Sequence, residues 1–185
     1  LARAQRTVAA VSDEVKPPAS AAAAAHFQVS WQGPNNEGDY LTVAKPGSDP
    51  GDYDNYAYTR SGNPAKLTAP ARPGSYEVRY IMAKDNEQLA MAPFTVAAVS
   101  AQVKAPASVA AGADFEAQWQ GPNNEGDYVT IVKAGADAGE YGAYAYTRDG
   151  SPSRLQAPEE PGSYEVRYIQ DLDKVILAST PLTVK

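Results

Sequence analysis

Displaced by about 88 residues, the sequence falls back onto itself without a gap. Trp31 lands on Trp119, and the decapeptide WQGPNNEGDY recurs letter for letter at 31–40 and 119–128. YAYTR at 56–60 falls on 144–148, and PGSYEVRYI at 73–81 falls on 161–169. All twelve tyrosines pair off, six to a copy. Roughly three positions in five are identical between the copies, so both must share one fold. The register extends upstream as well. The opening LARAQRTV aligns with LAMAPFTV at 89–96 and LASTPLTV at 177–184, the segments that close each copy. Leu1 to Val8 is therefore expected to be the closing strand of an upstream copy, the alternative being a helical or disordered tail similar to it by chance, since LARAQR holds good helix formers. The expected organisation is 1–12 as that remnant plus linker, 13–98 as the first repeat and 99–185 as the second.

Inside each copy the apolar residues alternate instead of recurring at helical spacing. Phe27, Val29 and Trp31 share one strand face, as do Phe115, Ala117 and Trp119. Tyr76, Val78 and Tyr80 alternate with Glu77 and Arg79. Turn signals such as GPNNEG, KPGSDPG and APARPG separate these runs, and proline and glycine recur too often for ordinary helices. About seven short strands per copy are expected, near Glu14–Pro17, Phe27–Trp31, Tyr40–Lys45, Tyr56–Arg60, Lys66–Thr68, Ser75–Ala83 and Leu89–Val96. That count describes an all-β chain of two tandem immunoglobulin-like β-sandwich domains. Tyr76 and Tyr164 stand where a tyrosine corner would turn its hydroxyl onto the preceding loop, with Val78 and Val166 where antibody domains carry cysteine. The junction AAVSAQ has neither glycine nor proline, so a stiff end-to-end rod is expected.

Composition narrows the function. A net charge of −6 disfavours nucleic acid as a partner. No apolar run reaches the roughly 18 residues of a membrane span. Cysteine is absent, which removes disulfides, thiolate metal sites and a cysteine nucleophile. His26 is the only histidine and aligns with Asp114, so the copies share no histidine-based chemistry. Neither a G-x-S-x-G elbow nor a phosphate-binding glycine loop appears. Nothing in the sequence assembles a catalytic constellation, and no enzyme is expected.

The conserved decapeptide admits two readings beyond recent duplication. In the structural one, Trp31 and Trp119 cap the end of each core, Gly33-Pro34 ends a strand, Asn35, Asn36 and Gly38 supply positive φ, and Asp39 accepts turn N–H groups. In the other, Glu37, Asp39 and the amides of Asn35 and Asn36 join Asp49, Asp52 and Asp54 as hard oxygen donors for calcium, without any EF-hand spacing. The second copy keeps Asp137 and Glu140 but has Gly142 and Ala143 in place of Asp54 and Asn55. Tyrosine is the strongest surface feature. Tyr56 and Tyr58 share a face opposite Ala57, with Tyr53 near by, and Tyr141, Tyr144 and Tyr146 repeat them. If Ala57 faces the core, these rings form an exposed stripe that can stack on sugars or anchor a protein. If the tyrosines face inward, they are core. Alternation alone leaves both open.

The series W-x-G-P-N-x-x-G-D-Y, Y-x-Y-T-R-x-G-x-P, P-G-x-Y-E-[apolar]-R-Y and L-A-[ST]-x-P-[apolar]-T-V resembles repeats in the C-terminal region of bacterial proteins that carry a von Willebrand factor type A domain. The resemblance covers nearly the whole chain. It implies a non-catalytic accessory module of an exported or envelope protein, with an extracytoplasmic location. The metal-adhesion motif D-x-S-x-S of the type A domain is absent, so no metal residues carry over. The expected role is a monomeric, rigid spacer and protein-interaction module, in contact with other domains of its parent protein and with an envelope protein or glycan. The alternative is a carbohydrate-binding module that uses the tyrosine stripe, with or without calcium.

Overall fold

The computed structural model describes residues 12–185, so the expected remnant strand Leu1–Val8 lies outside the described residues. The described chain forms two tandem β-sandwiches of about seven strands each. The first comprises β1 (Glu14–Lys16), β2 (Ser20–Ala22), β3 (His26–Gln32), β4 (Tyr40–Ala44), β5 (Asn55–Tyr58), β6 (Ala65–Thr68), β7 (Gly74–Met82) and β8 (Glu87–Ala97). The second repeats them as β9 (Gln102–Lys104), β10 (Ser108–Val109), β11 (Asp114–Gln120), β12 (Tyr128–Lys133), β13 (Tyr144–Tyr146), β14 (Ser153–Gln156), β15 (Gly162–Gln170) and β16 (Val175–Val184).

Each sandwich packs a three-stranded sheet against a five-stranded one: β1-β3-β6 with β2-β8-β7-β4-β5, and β9-β11-β14 with β10-β16-β15-β12-β13. Eight segments appear where seven strands are expected because the first strand changes sheets. β1 runs antiparallel to β3, then Pro17-Pro18 interrupts it, since proline donates nothing to a ladder. The chain resumes as β2 beside β8. In the second copy Pro106 stands at the break, and β10 pairs parallel with β16. The short second half is invisible to periodicity because it is two or three small residues held by backbone bonds. The other departure is at YAYTR. The strand stops at Tyr58, and Thr59–Ser61 coils into a 3-10 turn.

The alternation places the core as expected. Phe27 and Val29 of β3, Leu41 and Val43 of β4, Tyr76, Val78 and Tyr80 of β7, and Phe94 and Val96 of β8 are all buried. Phe27 stacks on Phe94 with centroids 4.4 Å apart. The second core joins Phe115, Ala117, Val129, Ile131, Tyr164, Val166, Tyr168, Leu182 and Val184, with Trp119 packed at its edge. Each valine, leucine, isoleucine or phenylalanine among them contributes about 1.5–3 kcal/mol when fully buried. Tyr164 donates its hydroxyl to the carbonyl of Glu160 at 2.9 Å, the contact that defines a tyrosine corner. Tyr76 is buried at the matching place.

β4 is buried along its whole length, on both faces. Leu41 and Val43 meet the core. Tyr40 and Thr42 point the other way, so the outer face of the five-stranded sheet must carry a cover of its own.

Candidate functional site: the tyrosine faces

That cover is aromatic. In the register of β4 with β5, Leu41 sits opposite Ala57, while Tyr40 and Thr42 sit opposite Tyr58 and Tyr56. Directly paired residues share a face. Leu41 belongs to the core, so Ala57 is on the core side and the tyrosines are on the outer one. Tyr53, Tyr56 and Tyr58 are accordingly 46%, 44% and 39% exposed. The rings form an edge-to-face chain: Tyr40 to Tyr53 at 5.6 Å, Tyr53 to Tyr56 at 5.2 Å and Tyr56 to Tyr58 at 5.3 Å, with Arg60 over Tyr58 at 5.5 Å. The second copy repeats the chain as Tyr128, Tyr144 and Tyr146, with Tyr141 against Tyr144 at 5.7 Å and Arg148 over Tyr146 at 4.4 Å. Tyr141 is 66% and Tyr144 47% exposed.

A buried Arg–Glu clamp holds the loop that brings Tyr53 to this face. Arg79 lies on the outer side of β7, yet it is only 2% exposed. Its guanidinium donates to the carbonyls of Lys45, Ser48 and Asp49 at 3.0–3.2 Å and pairs with Glu77 at 2.8 Å. In the second copy Arg167 donates to the carbonyls of Ala136 and Asp137 and pairs with Glu165 at 2.7 Å. Arg167, Ser179 and the N–H of Gly135 together pull the Glu165 carboxyl down to about 2. A buried guanidinium stays charged and needs acceptors; the loop carbonyls and the strand glutamate supply them, save at Nε of Arg167, which has no partner among the described residues. Alternation along β7 and β15 sets these arginines opposite the core-facing residues but does not reveal that a loop buries them. The available signal was E-x-R on one strand face, repeated beside a long glycine-rich loop.

The decapeptide forms the other support. Asp39 is 1% exposed, and its carboxylate accepts from the N–H groups of Asn36 at 2.8 Å and Ala83 at 3.1 Å and from the Tyr80 hydroxyl at 3.3 Å. Its carbonyl accepts from the N–H and hydroxyl of Thr59 at 2.9 and 3.2 Å. The Tyr80 hydroxyl in turn accepts from the N–H of Asn35 at 2.8 Å. Asn35 has φ of 54° and Gly38 of 86°. Trp31 packs edge-on against Tyr80 at 5.6 Å. One aspartate thus ties three segments together: the β3–β4 loop, the turn after β5 and the turn after β7. Asp127 does the same through Asn124, Tyr168, Asp171 and Thr147. Burial pushes the Asp127 carboxyl up, against these donors.

These contacts bear on the acidic residues named for calcium. The structure spends both oxygens of Asp39 inside the knot. Glu37 is exposed and reaches Arg60 at 3.7 Å, and Asp49, Asp52 and Asp54 lie on the loop after β4. Among the described residues, no three acidic or histidine side chains converge into a group that could hold a metal ion. No described helix is long and apolar enough to cross a membrane.

The two faces differ in their hollows. In the first copy a depression of about 430 Å³ is lined by Lys45, Ser48, Gly51, Asp52, Tyr53 and Asp54. In the second, a cleft of about 220 Å³ is lined by Tyr128, Tyr141, Tyr144, Tyr146, Asp171 and Lys174, with Gly139 at its edge. Lys174 pairs with Asp171 and sits over the Tyr128 ring at 5.6 Å. The hydrogen bonds between neighbouring hydroxyls raise Tyr56 and Tyr144, and burial raises Tyr40 and Tyr128. These four phenols are therefore neutral at physiological pH.

No protein-family model matches the chain, and no curated protein matches it. Solved structures to which it is similar include the D0-D1 domain of intimin, at 13% identity and a TM-score of 0.30 over 94% of this chain and 97% of that one. A two-domain fibronectin type III segment of chicken tenascin follows at 13% and 0.34, over 95% and 99%. The FN1-FN3 domains of chicken CNTN1 match at 11% and 0.29, over 92% and 64%. Fits this loose support no argument about function.

Proposed function

We propose that this chain is a non-catalytic recognition module of a larger exported protein, with each sandwich presenting its tyrosine face to a partner outside the chain. The observation that carries this reading is the chain of exposed tyrosine rings on the outer sheet face, built twice and braced twice. Evolutionary drift leaves the bracing residues unchanged: Asp39 and Asp127, Thr59 and Thr147, Arg79 and Arg167. Tyrosine gives large contact area at low entropy cost, which suits recognition. The motif-level likeness to repeats of von Willebrand factor type A proteins supports the exported parent and the extracytoplasmic location.

The test uses the whole chain and a variant carrying Tyr56→Ser and Tyr144→Ser. Both are screened against a microarray of neutral and acidic glycans and against a library of proline-rich peptides. Binding that the double substitution abolishes supports the reading. Equal binding by both proteins, or binding by neither, rejects it.

A further inference from the structure

The two tyrosine faces share a scaffold but not a rim. Asp171 and Lys174 flank the cleft of the second sandwich, and the aligned residues of the first are Ala83 and Asn86. The backbone of this turn is the same in both. Asp85 and Asn86 have φ of 68° and 52°, and Asp173 and Lys174 have 61° and 50°. Asparagine suits that left-handed conformation, whereas lysine adopts it at a cost. The second copy thus keeps a cation at a position where its own backbone favours the first copy's residue. The decapeptide knot aims the turn, because the N–H of Asp171 donates to the Asp127 carboxylate at 3.1 Å.

We infer that this cleft is a binding site for a single neutral pyranose ring, with the Asp171–Lys174 pair as its polar contact and Tyr141 and Tyr144 as its stacking surface. The inference rests on the recognition reading above and adds the ligand class. About 220 Å³ is below the roughly 300–1,000 Å³ of sites that enclose drug-sized ligands, so one ring fits. The rim is neutral as a pair. A free cation would have to displace Lys174, and an anion would meet Asp171. Two adjacent hydroxyls satisfy both groups at once, one donating to the carboxylate and the other accepting from the ammonium. The apolar C–H face of the sugar then lies on a tyrosine ring.

The experiment records NMR spectra of the whole chain with methyl glucoside, methyl galactoside and methyl mannoside up to tens of millimolar. Choline, glucuronate and a proline-rich peptide serve as parallel probes. At least one hexoside is expected to shift the ring resonances of Tyr141, Tyr144 and Tyr146 and to leave Tyr53, Tyr56 and Tyr58 unmoved. Lys174→Asn is expected to weaken that binding by roughly tenfold or more, with the melting point of the second sandwich unchanged or raised. Tyr144→Ser is expected to abolish it. Absence of hexoside shifts, or shifts that survive Lys174→Asn, would overturn the inference. Choline or glucuronate binding in place of hexosides overturns it too. A Tyr144-dependent response to the peptide alone rejects the pyranose and leaves the recognition face standing. Silence toward every probe, together with a failed library screen, removes both.

Discussion

A methyl group on Gly33 would lie 2.1 Å from Cε1 of Tyr80, and one on Gly121 would lie 2.7 Å from the Tyr168 ring. Neither glycine has a positive φ. What each supplies is the space that the tyrosine ring occupies beside the strand end. Gly33→Ala should therefore lower the stability of the first sandwich by about 1–3 kcal/mol, the usual cost of forcing atoms into a packed site. Urea denaturation measures it. Charge at the residue scale is tested by Glu165. Its carboxyl falls from an ordinary value of 4.5 to about 2 in the folded state, chiefly because Arg167 and Ser179 hold it. The folded chain then binds fewer protons than the unfolded one across that interval. Stability is complete above about 4.5 and drains away as pH falls toward about 2. Glu165→Gln should be less stable at neutral pH and should flatten this part of the acid limb, as read by melting at stepped pH.

Between single residues and the sandwich stands the loop that follows β4. Its carbonyls converge on Arg79, so removal of the guanidinium leaves several of them, and Glu77, without their partner. Arg79→Met should cost about 3 kcal/mol, in the range for breaking a buried pair from one side. Hydrogen exchange should accelerate at the N–H of Asp52 and Asp54, which bond to Asp49 and Val43. A variant with native exchange there would show that the loop holds itself. The strands of this face were legible in the sequence, because period-two alternation identifies which residues share a side. Which side is buried was not, because Tyr56 and Tyr58 are apolar enough for either. The register with Leu41 decides it, and register is a pairing between distant segments. The burial of Arg79 was not legible for a related reason: alternation puts it on the outer side, and a loop that covers that side leaves no periodic trace. Asp171 and Lys174 lie where the copies diverge, so a search for shared letters passes over them. The decapeptide was readable in its turn chemistry, but its union of three segments through one aspartate needs the fold.

At the level of the whole molecule, the second core joins residues from Val103 to Val184 alone. Residues 101–185 expressed by themselves should therefore unfold in one cooperative transition, with chemical and thermal probes coinciding. Loss of cooperativity would contradict an independent second sandwich. The split first strand has a further consequence, one of mechanics. In the second sandwich β10, near the start, runs parallel to β16, at the end. The bonds from Thr183 to Ala107, from Lys185 to Val109 and from Ala111 to Lys185 lie side by side between them. Tension applied to the two ends of this domain pulls those strands in opposite directions along their length. The bonds are loaded together in shear, where a hairpin would unzip one at a time. Ala111→Pro removes the N–H that donates to the Lys185 carbonyl and restrains the chain there. In single-molecule stretching, the peak force for this sandwich should drop in that variant well beyond its loss of equilibrium stability. Load on this sandwich would then pass through its least conspicuous strand, two residues long.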